Sequence, residues 1–407
     1  MKYKKKVIKG ISWLSAFQFI TRIVSLLKFA IIARFISPSD LGIYGILVLI
    51  VGVSEVYSEL GINNYLIQSK NIKKVIDYTW SIQLIRGILL SIVIVTLAYP
   101  LSIFFKRNEL FFLIPLASII PLIKAFENIY VVSFTKELNF NKEFYYRSVT
   151  IISDFIFTVL FVILIRNYMG LILGLIISTL IGVFYSWIIG LKKPRIKYDL
   201  VIFKKIINSA KWMNFNSILY YTTNQLDVIF ISRLMNISSL GIYQISQKFS
   251  YAPMLEIADI FGKVTFPTYS KISSSLKRLG NSYLKMTFVL FIIELIVGLV
   301  LFLFSREIII LFLGKKWIGA EGIFKLFILY GLVSSIIGTN GSLFYSLRRQ
   351  DILTKISLLR IIILIPLMFL LTKQYDLNGS VAALLISIII IFPISIYYTV
   401  RLLKGDL

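Results

Sequence analysis

Twelve runs of about 20 mostly apolar residues divide this chain, each long enough for an α-helix to cross a hydrocarbon core. They fall near residues 10–35, 39–62, 76–104, 110–134, 144–165, 168–191, 206–233, 239–263, 283–304, 319–346, 352–372 and 377–401. Lipid offers no partner to an unpaired backbone N–H or C=O, so runs of this length and number can fold only as a helical bundle in a membrane. Composition agrees. Of 407 residues, 58% are hydrophobic and 15% charged, with a mean hydropathy of +0.86. Soluble domains average about 45–50% apolar and about 25% charged. The sequence therefore predicts an all-α integral membrane protein of about twelve transmembrane helices.

The connectors alternate in character. Those after even-numbered runs are basic, such as "QSKNIKK" and "LKKPRIKYDLVIFKK", while those after odd-numbered runs, such as "ISPSD" and "NISS", hold few cations. About 26 Lys and Arg lie on the first set plus the termini and about 6 on the second, an asymmetry that predicts cytoplasmic N- and C-termini. It also explains the formal charge of +25, from 44 Lys and Arg against 19 Asp and Glu, without invoking nucleic acid. The opening "MKYKKKVIKG" has no small-residue cleavage site after the next apolar run and reads as a retained cytoplasmic tail.

One segment is written twice. "ARFISPSDLGIYGI" (Ala33 to Ile46) recurs as "SRLMNISSLGIYQI" (Ser232 to Ile245) at an offset of 199 residues, and Trp13 and Trp212 share that offset. Self-similarity at a fixed offset marks an internal repeat. Six spans per copy is an even number, so both copies start on the same side and the lobes are parallel repeats about a pseudo-two-fold axis along the membrane normal. The predicted organisation is an N-lobe of residues 1–191, a basic cytoplasmic linker of residues 192–205 and a C-lobe of residues 206–407. The repeated motif, with Arg34, Gly42 and Tyr44 matching Arg233, Gly241 and Tyr243, then marks the turn from the first to the second helix of each lobe. Ser39 and Ser238 are its expected N-caps. Gly42 and Gly241 permit close helix packing.

Ionisable residues deep in a span are costly and face a cavity or a partner. Arg22 and Arg86 sit near mid-span, Lys28 nearer the outer leaflet, and Arg34 at the boundary, where it either snorkels or faces the cavity. Arg forks and Lys point charges recognise phosphate and diphosphate, so Arg22, Lys28 and Arg86 suggest a cleft for an anionic headgroup. Lys124 joins them unless Glu127, three residues on and on the same face, neutralises it. Acidic groups are buried as well: Glu55, Glu59, Asp154, Asp227, Glu256, Asp259 and Glu294, with Arg360 and Lys325 as available partners. A carboxylate left unpaired is a candidate for a coupling cation or proton, and Asp227 and Glu294 are the first choices, with Asp154 either a third or one half of an ion pair.

The chain has no Cys and no His, which removes disulfides, thiolate chemistry and the usual metal ligands. No P-loop occurs. No outer connector is long enough to carry a pair of carboxylates for acid/base work. Transport, with no metal and no cofactor, is the remaining class.

"TRIVSLLKFAIIARFISPSDLGIYGI", "SELGINNYLIQSKN" and "VTFPTYSKI" resemble the polysaccharide transporter family of the multidrug/oligosaccharidyl-lipid/polysaccharide exporter superfamily. In the last segment Pro267 resembles the family's Pro-containing turn. Arg22, Lys28 and Arg34 match three basic positions of the related lipid II flippase branch, where the first two line a central cationic cavity. Lys28 stands where an Arg is usual there, and the branch's two extra C-terminal helices are absent. The resemblance implies a flippase in a bacterial cytoplasmic membrane. Such a protein moves an undecaprenyl-diphosphate-linked oligosaccharide for O-antigen, capsule or teichuronic-type polymers from the inner to the outer leaflet by alternating access. It implies lipid-linked oligosaccharide and bilayer lipids as partners, polysaccharide polymerase or export machinery as further ones, and no nucleic acid. A multidrug cation exporter of the same superfamily, a lipid II flippase and a membrane enzyme are the alternatives.

Overall fold

A computed structural model describes residues 20–58, 62–69, 72–137, 139–190, 192–204, 206, 218 and 221–405. Glu59, Trp13 and Trp212 lie outside the described residues. Every regular element among those described is helical. Among the described residues seven helices are long and apolar enough to cross a membrane, and an eighth span results if a bent pair is counted as one. The chain divides into two compact units, Met1–Thr222 and Thr223–Leu407.

The described part of the first unit opens on a helix at 20–35, which turns into Pro38–Ser58. The cap of that second helix is Ser37, not Ser39. The Ser37 N–H donates to the Asp40 carboxylate at 3.0 Å while the Asp40 N–H donates to Ser37 Oγ at 3.2 Å, a reciprocal box that satisfies two orphan donors. Ile62–Gln68 and Ile72–Thr96 follow, then Ala98–Phe105, Leu110–Ala117 and Ile119–Ala125. At that point the chain bends by 62° into the segment Ile129–Lys136. Phe140–Ile165 and Tyr168–Ile189 complete the long helices of this unit. Only two residues join this last pair. Arg166 closes the first helix in the left-handed region (φ 57°), and the Asn167 side chain caps the second by accepting the Met169 N–H at 2.8 Å.

Small residues bring the last two helices together. Gly170, Gly174, Ser178, Gly182 and Ser186 recur every four residues along one face of 168–189. A Cβ at Gly170 would meet the backbone of Phe161 and Val162, and one at Gly174 would collide with the backbone of Thr158. Between helices in lipid, close van der Waals packing replaces the hydrophobic drive available in water, so a small-residue stripe is what permits such an approach. The opposite faces, with Leu164, Leu180, Phe184 and Ile188 exposed, are apolar.

In the second unit Leu226–Leu234 turns into Ile237–Ser246. Here too the cap differs from the expected Ser238. The Asn236 side chain accepts the Ser239 N–H at 2.8 Å. The two observed caps, Ser37 and Asn236, are themselves 199 residues apart, as are the helix starts at Pro38 and Ile237. A one-turn π segment, Gln247–Tyr251, leads into Ala252–Ile272. Pro267 lies inside this helix and forms no turn; the turn follows Ile272. Leu276–Leu303 buries Leu279, Tyr283, Leu290, Glu294 and Gly298 along one face and exposes Leu284, Phe288, Ile296 and Leu303 on the other. Glu321–Ser346 follows, then Gln350–Lys404. This last helix is broken at Tyr375 and Asp376, whose φ of 53° is left-handed. A Cβ at Gly379 would strike the Leu371 carbonyl, so the tight reversal there requires glycine.

Candidate functional site

The three cations of the first helix are six residues apart, and six-residue steps turn a helix by about 240°. They therefore meet different surroundings. Arg22 and Arg34 are exposed, whereas Lys28 is 7% exposed. Lys28 Nζ lies 2.5 Å from Asp154 Oδ2 on helix 140–165 and 5.2 Å from the Phe29 ring centroid. Thr158, one turn beyond Asp154, donates its hydroxyl to the other carboxylate oxygen at 3.0 Å. Thr158 is the residue packed against Gly174, so the glycine stripe of helix 168–189 fixes the carboxylate that receives Lys28.

The bend after Ala125 supplies the next two charges. A break in a membrane helix frees carbonyls that lipid cannot satisfy, and side chains from two other helices cover them. Trp80 Nε1 donates to the Glu127 carbonyl at 3.1 Å and Trp187 Nε1 to the Phe126 carbonyl at 2.8 Å. Gln83 Nε2 reaches the carbonyls of Ala125 and Glu127 at 3.1 and 3.2 Å. The Asn128 N–H donates to Ser186 Oγ at 2.8 Å. The indoles of Trp80 and Trp187 meet edge to face with centroids 5.8 Å apart.

Held this way, Lys124 and Glu127 do not neutralise each other as their spacing suggested. Lys124 Nζ bonds both Glu55 carboxylate oxygens, at 3.1 and 3.2 Å, and Glu127 accepts the Tyr146 hydroxyl at 2.6 Å. Helix 119–125 ends between them, so they no longer stand three residues apart on one helical face. Arg86 sits beside them, donating to the Glu55 carbonyl at 3.0 Å and Ser58 Oγ at 3.1 Å, where a cation suits the carbonyl end of helix 38–58.

These groups border a cavity of about 390 Å³ whose polar lining includes Tyr44, Glu55, Lys124, Glu127, Tyr146 and Asp154, with walls of Leu, Val and Ile. A second hollow of about 260 Å³ shares Glu55, Lys124 and Glu127 and adds Arg86 and Gln83. Three carboxylates face the larger cavity. Lys28 and Lys124 are each bound to one of them, and Glu127 is held by a neutral phenol. The lining is thus internally paired and weighted toward carboxylate.

In the second unit an acid stands where the first has a base. Asp227 occupies the position 199 residues after Lys28. It is 4% exposed and accepts the Tyr243 hydroxyl and the Val228 N–H, the latter at 2.8 Å. Tyr243, partner of Tyr44 in the repeat, is fully buried against Phe327 with ring centroids 5.0 Å apart. Arg360 donates to the Tyr330 hydroxyl at 2.7 Å. Lys325 pairs with Glu321 four residues away at 2.7 Å and serves none of the buried acids. Asp227 is therefore not left unpaired. Glu294 is: at 1% exposure, neither of its oxygens has a hydrogen-bond partner among the described residues. Glu256 and Asp259 have partners of their own. Gly42 and Gly241 are both buried, and Arg233 is half-buried.

The polysaccharide biosynthesis protein family matches this chain over residues 31–321. The chain belongs to that family. It is 23% identical over 369 residues to the lipopolysaccharide biosynthesis protein WzxC of Escherichia coli (strain K12), covering 90% of this chain and 75% of the relative. It is likewise 23% identical to the teichuronic acid biosynthesis protein TuaB of Bacillus subtilis (strain 168), covering 86% and 73%. Among solved structures the fold is similar to the lipid II flippase MurJ in an inward closed conformation, with a TM-score of 0.77 at 16% identity over 96% of this chain and 87% of that one. It is also similar to an inward-facing multidrug resistance MATE family transporter, with a TM-score of 0.69 at 15% identity over 97% and 99%. The family member described here is a multi-pass membrane protein, and the neighbours it shares its fold with are transporters, not enzymes.

Apart from Asp154 and the other ionisable groups, the side chains that line or brace this site are not singled out by charge. Tyr146, Thr150, Asp154 and Thr158 form an i, i+4 ladder of polar groups in an otherwise apolar helix, and that periodicity does signal a polar face. Trp80, Gln83, Asn128, Ser186 and Trp187 carry no such signal, because their role depends on a bend that no Gly or Pro at 125–129 announces.

Proposed function

We propose that this protein is a flippase. It moves an undecaprenyl-diphosphate-linked oligosaccharide repeat unit from the inner to the outer leaflet of a bacterial cytoplasmic membrane, by alternating access, for polysaccharide export. The observation that carries the reading is the family match across residues 31–321, joined to relatives named for lipopolysaccharide and teichuronic acid biosynthesis and to a transporter fold. A polymer made outside from precursors built inside requires its lipid carrier to cross the bilayer, and a membrane protein without a nucleotide-binding loop answers that need by exchanging conformations. Polysaccharide polymerase or export machinery is then a downstream partner.

In this reading twelve spans form two six-helix lobes, residues 1–191 and 206–407, joined by the basic linker 192–205, with both termini cytoplasmic. Hydrogen bonds among the connectors support it. Asp40, after the first span, accepts the Tyr168 N–H, after the fifth, at 3.1 Å. Lys136 reaches Ser69, and Lys197 in the linker pairs with Asp77 at 3.1 Å. Connectors of like parity thus meet like. Arg22 is assigned to the diphosphate headgroup, assisted by Arg86, with Lys28 and Lys124 available once released from their carboxylates. Asp154 and Asp227 are assigned to ion pairing. An export assay in cells lacking their own repeat-unit flippase tests this. The wild-type chain restores polymer, and Arg22→Ala abolishes it at unchanged membrane abundance. Full export from that variant removes Arg22 from the mechanism.

A second reading has one observation behind it. A cavity with apolar walls and an excess of carboxylate over free cation suits a lipophilic cation, as in a multidrug exporter.

A further inference from the structure

Glu294 stands apart from every other ionisable group of the second unit. It lies in helix 276–303, 18 residues from its start and 9 from its end, well inside the hydrocarbon depth at about 1.5 Å per residue. Its side chain is 1% exposed and both carboxylate oxygens lack a partner among the described residues. One turn on, the same face at Gly298 meets Ile328, Met254 and Leu332, all apolar. An ionised carboxylate there would be an uncompensated charge in a low dielectric, which proteins avoid by neutralising the group.

The charged groups of the packed helices do not compensate it. On helix 321–346 Lys325 is bound to Glu321, and Tyr330 accepts from Arg360 of helix 350–404. On helix 252–272 Glu256, Asp259 and Lys263 each have a partner. The polar side chain beside Glu294 is Ser335, and its hydroxyl proton is already committed to the Gly331 carbonyl at 2.7 Å. Beside Glu294 there is thus one neutral hydroxyl, itself engaged with the backbone, and a hydroxyl is no counter-charge for a carboxylate.

We infer that Glu294 is a proton-binding site, holding one proton in the conformation described and exchanging it as the transporter changes state. The inference rests on the flippase reading only for the identity of the cargo. Nothing in the packing among the described residues explains an acid at this position: a Leu would fill the same face without the desolvation cost, and an intramembrane carboxyl with no ion partner among them is a functional group by default. Proton release on one side and uptake on the other then gives transport a direction that a passive flippase lacks.

The test uses the full-length protein in liposomes. Infrared difference spectra of wild type against Glu294→Gln show a protonated carboxylic acid carbonyl band in the wild type only. Gln preserves shape and can donate to Ser335, and an unchanged Tm confirms that the variant is folded. With a proton gradient imposed, the wild type moves a fluorescent polyprenyl-diphosphate oligosaccharide about tenfold faster than without it, while Glu294→Gln moves it at one rate in both conditions. Absence of the band, a gradient response that survives in Glu294→Gln, or a wild type that answers no gradient with any cargo overturns the inference. A wild type that moves a cationic dye and not the lipid refutes the flippase reading instead, and the same gradient comparison on the dye then decides the role of Glu294.

Discussion

Removing Asp154 should destabilise the first unit more than removing Lys28, although the two form one pair. Breaking a buried ion pair from one side costs about 3–5 kcal/mol because the remaining charge is stranded. Lys28 and Asp154 are not equally stranded. The Lys28 side chain is 9% exposed, whereas that of Asp154 is 27% exposed and opens onto the cavity. Asp154→Asn leaves a buried ammonium with no counter-charge and should cost about 3 kcal/mol, the low end of that range. Lys28→Met leaves a carboxylate that keeps the Thr158 hydroxyl and can take water from the cavity, so about 1–2 kcal/mol is expected. The double variant strands neither charge and should cost about 1–2 kcal/mol, leaving a coupling energy of at least about 2 kcal/mol. For a cooperative unit of this size each kcal/mol moves Tm by about 2–4 °C. Asp154→Asn should therefore lower the detergent-solubilised Tm by about 6–12 °C, and the second substitution should restore roughly a third to two thirds of it. Additivity of the two single effects within about 0.5 kcal/mol would refute the pairing.

Two further outcomes follow from the same structure. Gly174→Leu should abolish the approach of helix 168–189 to Thr158 and cost more than about 3 kcal/mol, with loss of folded protein in the membrane, whereas Leu at Gly319, where a Cβ meets nothing within 4 Å, should be tolerated. Cysteines introduced at Pro38 and Ile72 should react with an impermeant reagent from opposite sides; labelling from one side would overturn the assigned topology.

Much of this fold was legible in the sequence, and particular residues show why. Run length and hydropathy mark helices such as 72–96, 140–165 and 276–303 because lipid imposes one rule on every span. The repeat was legible too, down to the shared offset of the second-helix starts, yet the caps were misassigned. Ser39 and Ser238 stand inside the first turn, while Ser37 precedes a proline at the helix's first position and Asn236 does the capping in the other copy. The proline at 267 was read as a turn, but a helix with neighbours can carry one. Site chemistry was less legible. Sequence placed Lys28, Lys124 and Asp154 in spans but could not give distances, and the one glutamate it offered Lys124 as a partner was Glu127, not Glu55, because the bend at 125–129 has no local marker. Of the two carboxyls put forward as unpaired, Asp227 and Glu294, the first finds partners and the second finds none among the described residues.

The account stands or falls on whether this protein moves lipid-linked sugar. The direct measurement is transbilayer movement of a fluorescent undecaprenyl-diphosphate oligosaccharide in liposomes containing the purified chain, with a cationic dye followed in parallel. Protein-dependent loss of the lipid from one leaflet, with the dye unmoved, is the predicted result. Dye movement without lipid movement would contradict it and make the carboxylate-weighted cavity of the first unit the transport site.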